Sequence, residues 1–347
     1  MNQATIEILS KNTSLLELDL SLSTDVTESN KLSFVKIGRL ISKYLKLTSI
    51  LIGKKNVIGC YFTITPTGPS FLKDSIYVLI LKLFKVPIIF HLHGNGIRNK
   101  YHPPYKKVYD FVFRGSDVIV LSEALAGDVD FLNTKKIHVL NNFTSSPIKA
   151  AKEISPKHTI KLGFLSNLRR GKGVHDLINI AEHLATHEVD FEVHIAGPWS
   201  NNEDRESFFS DKRLLENSLY SKIKFFGEVA GEEKSKFFQG IDVFIFPSFI
   251  DTFPLVLLES LSFGKPIICS DIGGMSDIAT PDVGYIFQHD DPNRLDKILL
   301  EIKQLHLNPY YSRKSAAAIN ASLTLYTKET YSKKVKVIIS EFLSRSQ

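Results

Sequence analysis

Asp251 and Glu259 stand eight residues apart in the run FPSFIDTFPLVLLESLSFGKP, residues 246–266. Thr252 is placed to cap a helix, Pro254 fits its first turn, and Gly264 with Pro266 ends it. Eight residues of helix span roughly 12 Å. That is too far for two carboxylates acting on one bond, but it suits two carboxylates gripping opposite ends of a long ligand. The helix N-terminus between them offers free amides, which favour a phosphate or diphosphate. The same pattern also fits an N-capping aspartate and a surface glutamate. Spacing alone favours that plainer reading.

Three other groups of residues invite a chemical reading. His91 and His93 share one face of a strand, as metal ligands do, but no third ligand converges on them in the sequence. By itself, His93 reads as a strand-end histidine bonded to backbone. The run His93-Gly94-Asn95-Gly96 lacks the third glycine of a dinucleotide loop, so NAD is poorly supported. Asp128-Val129-Asp130 mimics a metal-binding D-x-D, yet it follows an expected helix at 122–127, where a solvated helix end is the simpler account.

These residues need elements to hold them. Short β-branched and aromatic runs fall at 57–62, 87–92, 117–121 and 136–140, and a second series at 159–165, 191–197, 222–227, 242–247 and 266–270. Amphipathic helical segments lie between them, at 70–84, 104–115, 174–187, 232–240 and 254–263. This alternation predicts parallel sheets covered by helices on both faces. The polar stretch 141–158 separates the two series and reads as a linker between two doubly wound domains. Such sheets bind ligands beyond the carboxyl ends of their strands.

Composition narrows the class. The chain has 347 residues, 43% hydrophobic and 23% charged, which fits about two soluble globular domains. Two cysteines, Cys60 and Cys269, are expected to make neither a disulfide framework nor a four-ligand zinc site, so a reducing compartment is expected. The longest apolar stretch, 76–90, is broken by Lys82 and Lys85, and the N-terminus lacks a signal-peptide pattern. The net charge of +6 is uneven: residues 31–110 carry fourteen Lys or Arg and two acids. An anionic partner is one reading: nucleic acid, a phosphorylated ligand or an acidic membrane surface. A solvated lysine-rich surface is the other, at even odds.

The run PSFIDTFPLVLLESLSFGKPIICSDIGG resembles the signature of glycosyltransferase family 4, retaining nucleotide-sugar transferases of the GT-B fold. In that family an acid, seven residues and a Glu precede a small-residue turn, G-x-P and an apolar strand. LGFLSNLRRGKGVHDLI (162–178) resembles the first strand, loop and helix of the donor domain. FEVHIAGP (191–198), IKFFGEV (223–229) and DVFIFPS (242–248) follow in the family's order. The first half matches more loosely, through IIFHLHG (88–94) and DVIVLSEAL (117–125).

The resemblance implies two Rossmann-like domains facing a cleft: an acceptor domain at 1–148, a donor domain at 149–326, and a helix at 327–347 returning to the first. It implies that Glu259 holds the ribose hydroxyls and that Asp251 bonds the donor sugar. The amides of Thr252, Phe253 and Leu255 would lie near sugar and phosphates, with Lys172 neutralising the diphosphate. The base would rest against Gly227, Glu228 and Val229, with Gly197 nearby, and His93 would sit beside the donor sugar. Two positions depart from the pattern. Asn167 replaces the usual arginine, for which Arg169 or Arg170 would compensate, and Asp251 replaces the more usual Glu. The chain opens at MNQATIEILSKN, like the family's first helix, so the family's opening strand and glycine-rich loop are expected to be missing.

The sequence thus points to a retaining glycosyltransferase moving a hexosyl or N-acetylhexosaminyl group from a UDP- or GDP-sugar. The acceptor would be a saccharide, lipid-linked, in bacterial surface-polysaccharide assembly. No metal ion and no nucleic acid are expected. Cytoplasmic placement is, with peripheral contact to an anionic membrane through Arg39, Lys43 and Lys46, interleaved with Leu40, Tyr44 and Leu47. A GT-B pseudoenzyme acting as a nucleotide-sugar-binding scaffold is the alternative; a nucleotide-sugar epimerase of similar fold ranks lower.

Overall fold

The computed structural model describes residues 2–11, 14–20, 34–54, 56–148, 159–216 and 219–345. The chain divides into two compact units. Unit 1 takes residues 1–121, 125–140 and 332–347; unit 2 takes 122–124 and 141–331.

Unit 1 is built on four parallel strands: β1 (Cys60–Ile64), β2 (Ile88–Leu92), β3 (Asp117–Val120) and β4 (Lys136–Val139). They pair in sequence order, β1-β2-β3-β4, with Cys60 opposite Ile88 and Ile89 opposite Asp117. β2, IIFHL, is buried at all five residues, apolar throughout except for His91. Phe71, Tyr77, Tyr109 and Phe113 pack from the covering helices Gly68–Leu83 and Lys106–Phe113. The first strand begins three residues later than the sequence pattern suggests. At Gly59 a side chain would meet the Phe342 ring at 2.7 Å, so the backbone there is held close to the last helix instead.

Unit 2 is a six-stranded parallel sheet: β5 (Ile160–Leu165), β6 (Phe191–Ala196), β7 (Ile223–Phe225), β8 (Val243–Phe246), β9 (Ile267–Ser270) and β10 (Gly284–Phe287). The order is β10-β9-β8-β5-β6-β7. The chain therefore runs outward from β5 to β7, then returns to the other side of β5 to start again at β8. Adjacent strands β5 and β8 thus send their following connections in opposite directions. Phe244, Phe246 and Phe164 are fully buried at that junction, each worth about 1.5–3 kcal/mol in removed apolar surface.

Residues 141–148 form no helix or strand; Ser145, Pro147 and Ile148 are exposed as a linker would be, but the start of the stretch is packed down. Asn142 and Phe143 are buried, and the Thr144 amide donates to the Tyr326 carbonyl at 3.0 Å. The remainder of that stretch, 149–158, lies outside the described residues. Helix Lys328–Ser344 carries the chain out of unit 2, its residues from Ser332 grouping with unit 1.

Within unit 1, this helix end is fastened by charge. Asp117, 2% exposed at the start of β3, accepts from Arg345 at 2.6 Å and lies 2.8 Å from His138 Nε2. Removing one partner of a buried charged cluster strands the others. Asp117→Ala should therefore destabilise the protein by about 3–5 kcal/mol. Arg345→Ala should cost less, because that guanidinium is partly exposed. Denaturant unfolding checks this, and an unchanged midpoint for Asp117→Ala would remove the cluster as a fastening.

Candidate active site

The two connections that leave the β5–β8 junction carry the sequence's cation and its first carboxylate. After β5 the chain runs through Ser166–Arg169 into a 3-10 turn at Arg170–Lys172, then helix Asp176–Thr186. After β8 it runs Pro247–Pro254 into helix Leu255–Ser262. Glycine permits the first loop to lie against the second. Gly173 has φ +84°, and a Cβ there would sit 1.9 Å from the Pro247 carbonyl oxygen. The Phe249 amide then donates to the Gly171 carbonyl at 3.0 Å.

This contact brings Lys172 and Asp251 together. Lys172 Nζ lies 2.6 Å from Asp251 Oδ1, with side chains 19% and 12% exposed. The second carboxylate oxygen accepts from the Ser248 hydroxyl at 2.5 Å. Behind them His289 stacks on Phe249 with ring centroids 3.6 Å apart, its Nε2 3.3 Å from the Ser248 carbonyl. His289 Nδ1 in turn lies 3.9 Å from Asp176, which pairs with Arg294 at 2.9 Å. Ser248 and His289 were not legible as site residues. Ser248 stands inside the signature run, but no pattern marks its partner, and His289 arrives from beyond β10.

The helix that follows does not start as its sequence suggests. Pro254, not Thr252, takes the capping position, with no side-chain cap bond, and Leu255 is the first helical residue. Asp251 is drawn instead to Lys172 and Ser248. Among the described residues, the amides of Thr252, Phe253 and Leu255 donate to no carbonyl or side chain. Such orphan N–H groups at a helix start attract an anion. The Phe253 side chain is buried, and its carbonyl accepts from Asn142 at 3.2 Å.

Glu259, further along this helix, is half-buried and pairs through Oε1 with Lys234 at 2.6 Å. Lys234 comes from helix Gly231–Gly240, too far away in sequence for any local motif to announce it. Of the two arginines near Asn167, Arg170 turns to Ser207 at 2.8 Å while its amide donates to Asp204. Arg169 and Asn167 are exposed. Gly197 follows β6 with φ +121°, where a Cβ would lie 1.8 Å from the Ser166 oxygen, and its amide donates to Gly227 at 2.6 Å. Glu228 beside it is exposed and Val229 half-buried.

His93 belongs to unit 1, directly after β2. Its ring centroid is 4.1 Å from that of His91, which is fully buried and bonded through Nδ1 to the Tyr61 hydroxyl. The Asp128-Val129-Asp130 motif ends a 3-10 helix, Glu123–Asp128, with Asp130 exposed as expected, but Asp128 is tied to another loop. Asp128 accepts from the amides of Gly96, Ile97 and Arg98 at 2.9, 3.0 and 2.9 Å, and Asp130 pairs with Arg98 at 2.6 Å. Asp128 therefore holds the loop that follows His93, where backbone N–H groups favour negative charge, while Asp130 meets only the exposed Arg98 side chain.

Burial pushes the His93 imidazole down to about 4, and burial with its neighbour His93 holds His91 well below the usual range. The unfolded chain binds these protons near pH 6.5, whereas folded His93 resists its proton until about pH 4 and buried His91 resists as well. Stability should therefore fall as pH drops from 6.5 towards 4. Replacing His93 with Asn should flatten that fall, measured by urea unfolding across the range. An identical slope in the variant would sever His93 from the acid sensitivity.

Residues 145–320 match the family described as glycosyl transferases group 1, just over half of the chain. A D-inositol 3-phosphate glycosyltransferase of Pseudarthrobacter chlorophenolicus is 28% identical over 120 residues, 34% of this chain and 28% of that protein. The O-antigen chain mannosyltransferase B of Escherichia coli is 32% identical over 82 residues, 24% of this chain and 20% of its own length. The chain thus spans less than a third of these curated relatives. Among solved structures, Anabaena HepE in complex with UDP is similar with a TM-score of 0.70 at 16% identity, covering 88% of this chain and 84% of that one. The fold is GT-B, with two Rossmann-like parallel-sheet units, and the chain belongs to the group 1 glycosyl transferases.

Proposed function

We propose that the protein is a retaining glycosyltransferase of family 4. It would move a hexosyl or N-acetylhexosaminyl group from a UDP- or GDP-sugar to a saccharide acceptor, lipid-linked, in surface-polysaccharide assembly. The observation that carries this reading is Lys172 set against Asp251 where the strand order reverses, beside three unclaimed amides. HepE, solved with UDP, supports a uridine donor, and the E. coli O-antigen mannosyltransferase supports the polysaccharide setting.

The roles follow from charge. The sugar–oxygen bond breaks through an oxocarbenium-like transition state, and one further negative charge grows on the already anionic diphosphate. Lys172 leaves Asp251 to meet that charge, together with the amides of Thr252, Phe253 and Leu255. Asp251, released, accepts from a donor-sugar hydroxyl. The departing oxygen takes the acceptor's proton on the face where the new bond forms. Glu259 accepts from the ribose hydroxyls through its oxygens, positioned by Lys234. The base rests at Gly227–Val229 near Gly197. His93, neutral at working pH, bonds a donor-sugar hydroxyl. No step calls for a metal ion.

A thermal-shift screen with UDP-, GDP- and ADP-sugars should single out one nucleotide by raising the melting temperature. That donor should then lose its sugar to an acceptor, and slowly to water, in the presence of EDTA. No release under any condition would favour the scaffold alternative. Glu259→Ala should raise the Michaelis constant with turnover nearly kept, because ribose does not change during transfer. Lys172→Ala should lower turnover about 100-fold or more, as loss of one charge-stabilising donor does. The reverse split would exchange these two assignments.

Membrane contact belongs to the same reading, with its residues revised. On helix Phe34–Gly53, Tyr44 faces inward, donating to the Lys73 carbonyl, and Lys43 is held by Asp19. The exposed apolar stripe is Ile37, Ile41, Leu45 and Ile52, flanked by exposed Arg39 and Lys46. Leu45 and Ile52 are each 65% exposed. Apolar residues with cations alongside suit the interface of an anionic bilayer. No described helix is long and apolar enough to cross a membrane. The protein should co-sediment with anionic vesicles and less with neutral ones, and Leu45→Asp or Lys46→Glu should weaken this. Equal absence from both would confine the helix to covering the sheet.

A further inference from the structure

On helix Asp176–Thr186 and the residue that ends it, His183 and His187 stand four apart, one turn of helix, so their rings lie on the same side. The ring centroids are 4.4 Å apart. Against them packs helix Arg294–Leu305, whose first turn presents Asp296. Asp296 Oδ1 lies 3.0 Å from His183 Nε2. One ligand atom from each of the three residues falls within 4.8 Å of the other two. None of the three takes part in the site at the β5–β8 junction.

The protonation pattern suits a ligand set. His187 Nδ1 lies 2.9 Å from the His183 carbonyl, which only accepts, so Nδ1 carries the proton and Nε2 the lone pair. This is how a second interaction fixes the tautomer of a metal-binding histidine. His183 Nε2 is shielded from solvent and makes no hydrogen bond, although Asp296 is so near. A carboxylate that close but out of line leaves a lone pair pointing at a shared space.

We propose that His183, His187 and Asp296 bind one divalent transition-metal ion of the zinc class. Two imidazole nitrogens and one carboxylate oxygen are the ligands such ions prefer, with water completing the shell. Ligand atoms around tetrahedral zinc lie about 3.3 Å apart, so the set must close by an ångström or so. His187 and Asp296 are both exposed and can turn to do it. The ion would bridge the helix that follows the Lys172 loop to the helix that follows β10, tying two layers of unit 2. It would be a structural clamp, separate from the transfer chemistry.

The test is titration of zinc chloride into the metal-stripped full-length protein, followed by calorimetry and by thermal unfolding. Cobalt(II) substitution supplies a spectrum. Binding of one zinc per chain is expected, with a raised melting temperature and visible cobalt absorption. His187→Gln and Asp296→Asn change exposed side chains, so both variants should fold as the parent does without metal. Each should weaken zinc binding by about tenfold or more and abolish the metal-induced rise in melting temperature. Lowering the pH to 5 should also release the ion, since protons compete for the imidazoles. No zinc binding, or binding of equal strength in both variants, overturns the proposal.

Discussion

The ion pair between Lys172 and Asp251 depends on the backbone arrangement of unit 2, and the site depends on the pair. A parallel sheet that reverses its strand order opens a crevice where two loops diverge. Those loops meet here because Gly173 has no side chain to strike Pro247. Once they meet, a lysine and an aspartate that are mostly shielded from water must satisfy each other at 2.6 Å. Leaving either alone would be costly. Under the proposed function, an arriving diphosphate would offer Lys172 a better-charged partner, and the amides ahead of Leu255 would add to its attraction. On that proposal, the resting pair would be a placeholder that keeps the cation aimed at the crevice.

The same device recurs around the molecule. Glu259 is kept in place by Lys234, Asp117 fastens the C-terminal helix through Arg345, and Asp128 gathers three amides of the loop after His93. In each case a carboxylate pairs with a group that another element of the same unit supplies. His289, stacked on Phe249, extends this support behind Asp251 and links it to Asp176 and Arg294.

Much of this was legible in the chain itself. Strands β5, β6, β8 and β9 announce themselves because they are almost wholly buried and read as largely apolar runs, whereas β10, partly exposed at the sheet edge, was not marked. The signature from Pro247 to Gly274 exposes the carboxylates, since helix stops and starts are written in Pro and Gly. What the sequence hid was long-range. The strand order that sets Lys172 beside Asp251 comes from pairing, which local pattern does not encode. Lys234 and His289 reach their partners from other elements, without any motif. Two local readings also failed. Thr252 looked like a cap, but Asp251 is drawn to Lys172 and Pro254 takes the position. Asp128 looked like part of a solvated end, as exposed Asp130 is, but the loop after His93 takes up its carboxylate. Where a polar side chain has a tertiary partner, that partner overrides the local preference.

Hydrogen–deuterium exchange of the protein with and without the bound nucleoside diphosphate measures the central claim most directly. If the diphosphate draws Lys172 from Asp251 and takes up the waiting amides, protection should rise in segments 169–173 and 250–256, with a smaller rise at 227–229. Protection confined to other segments, or unchanged exchange in both loops at saturating nucleotide, would contradict a diphosphate site at the β5–β8 junction.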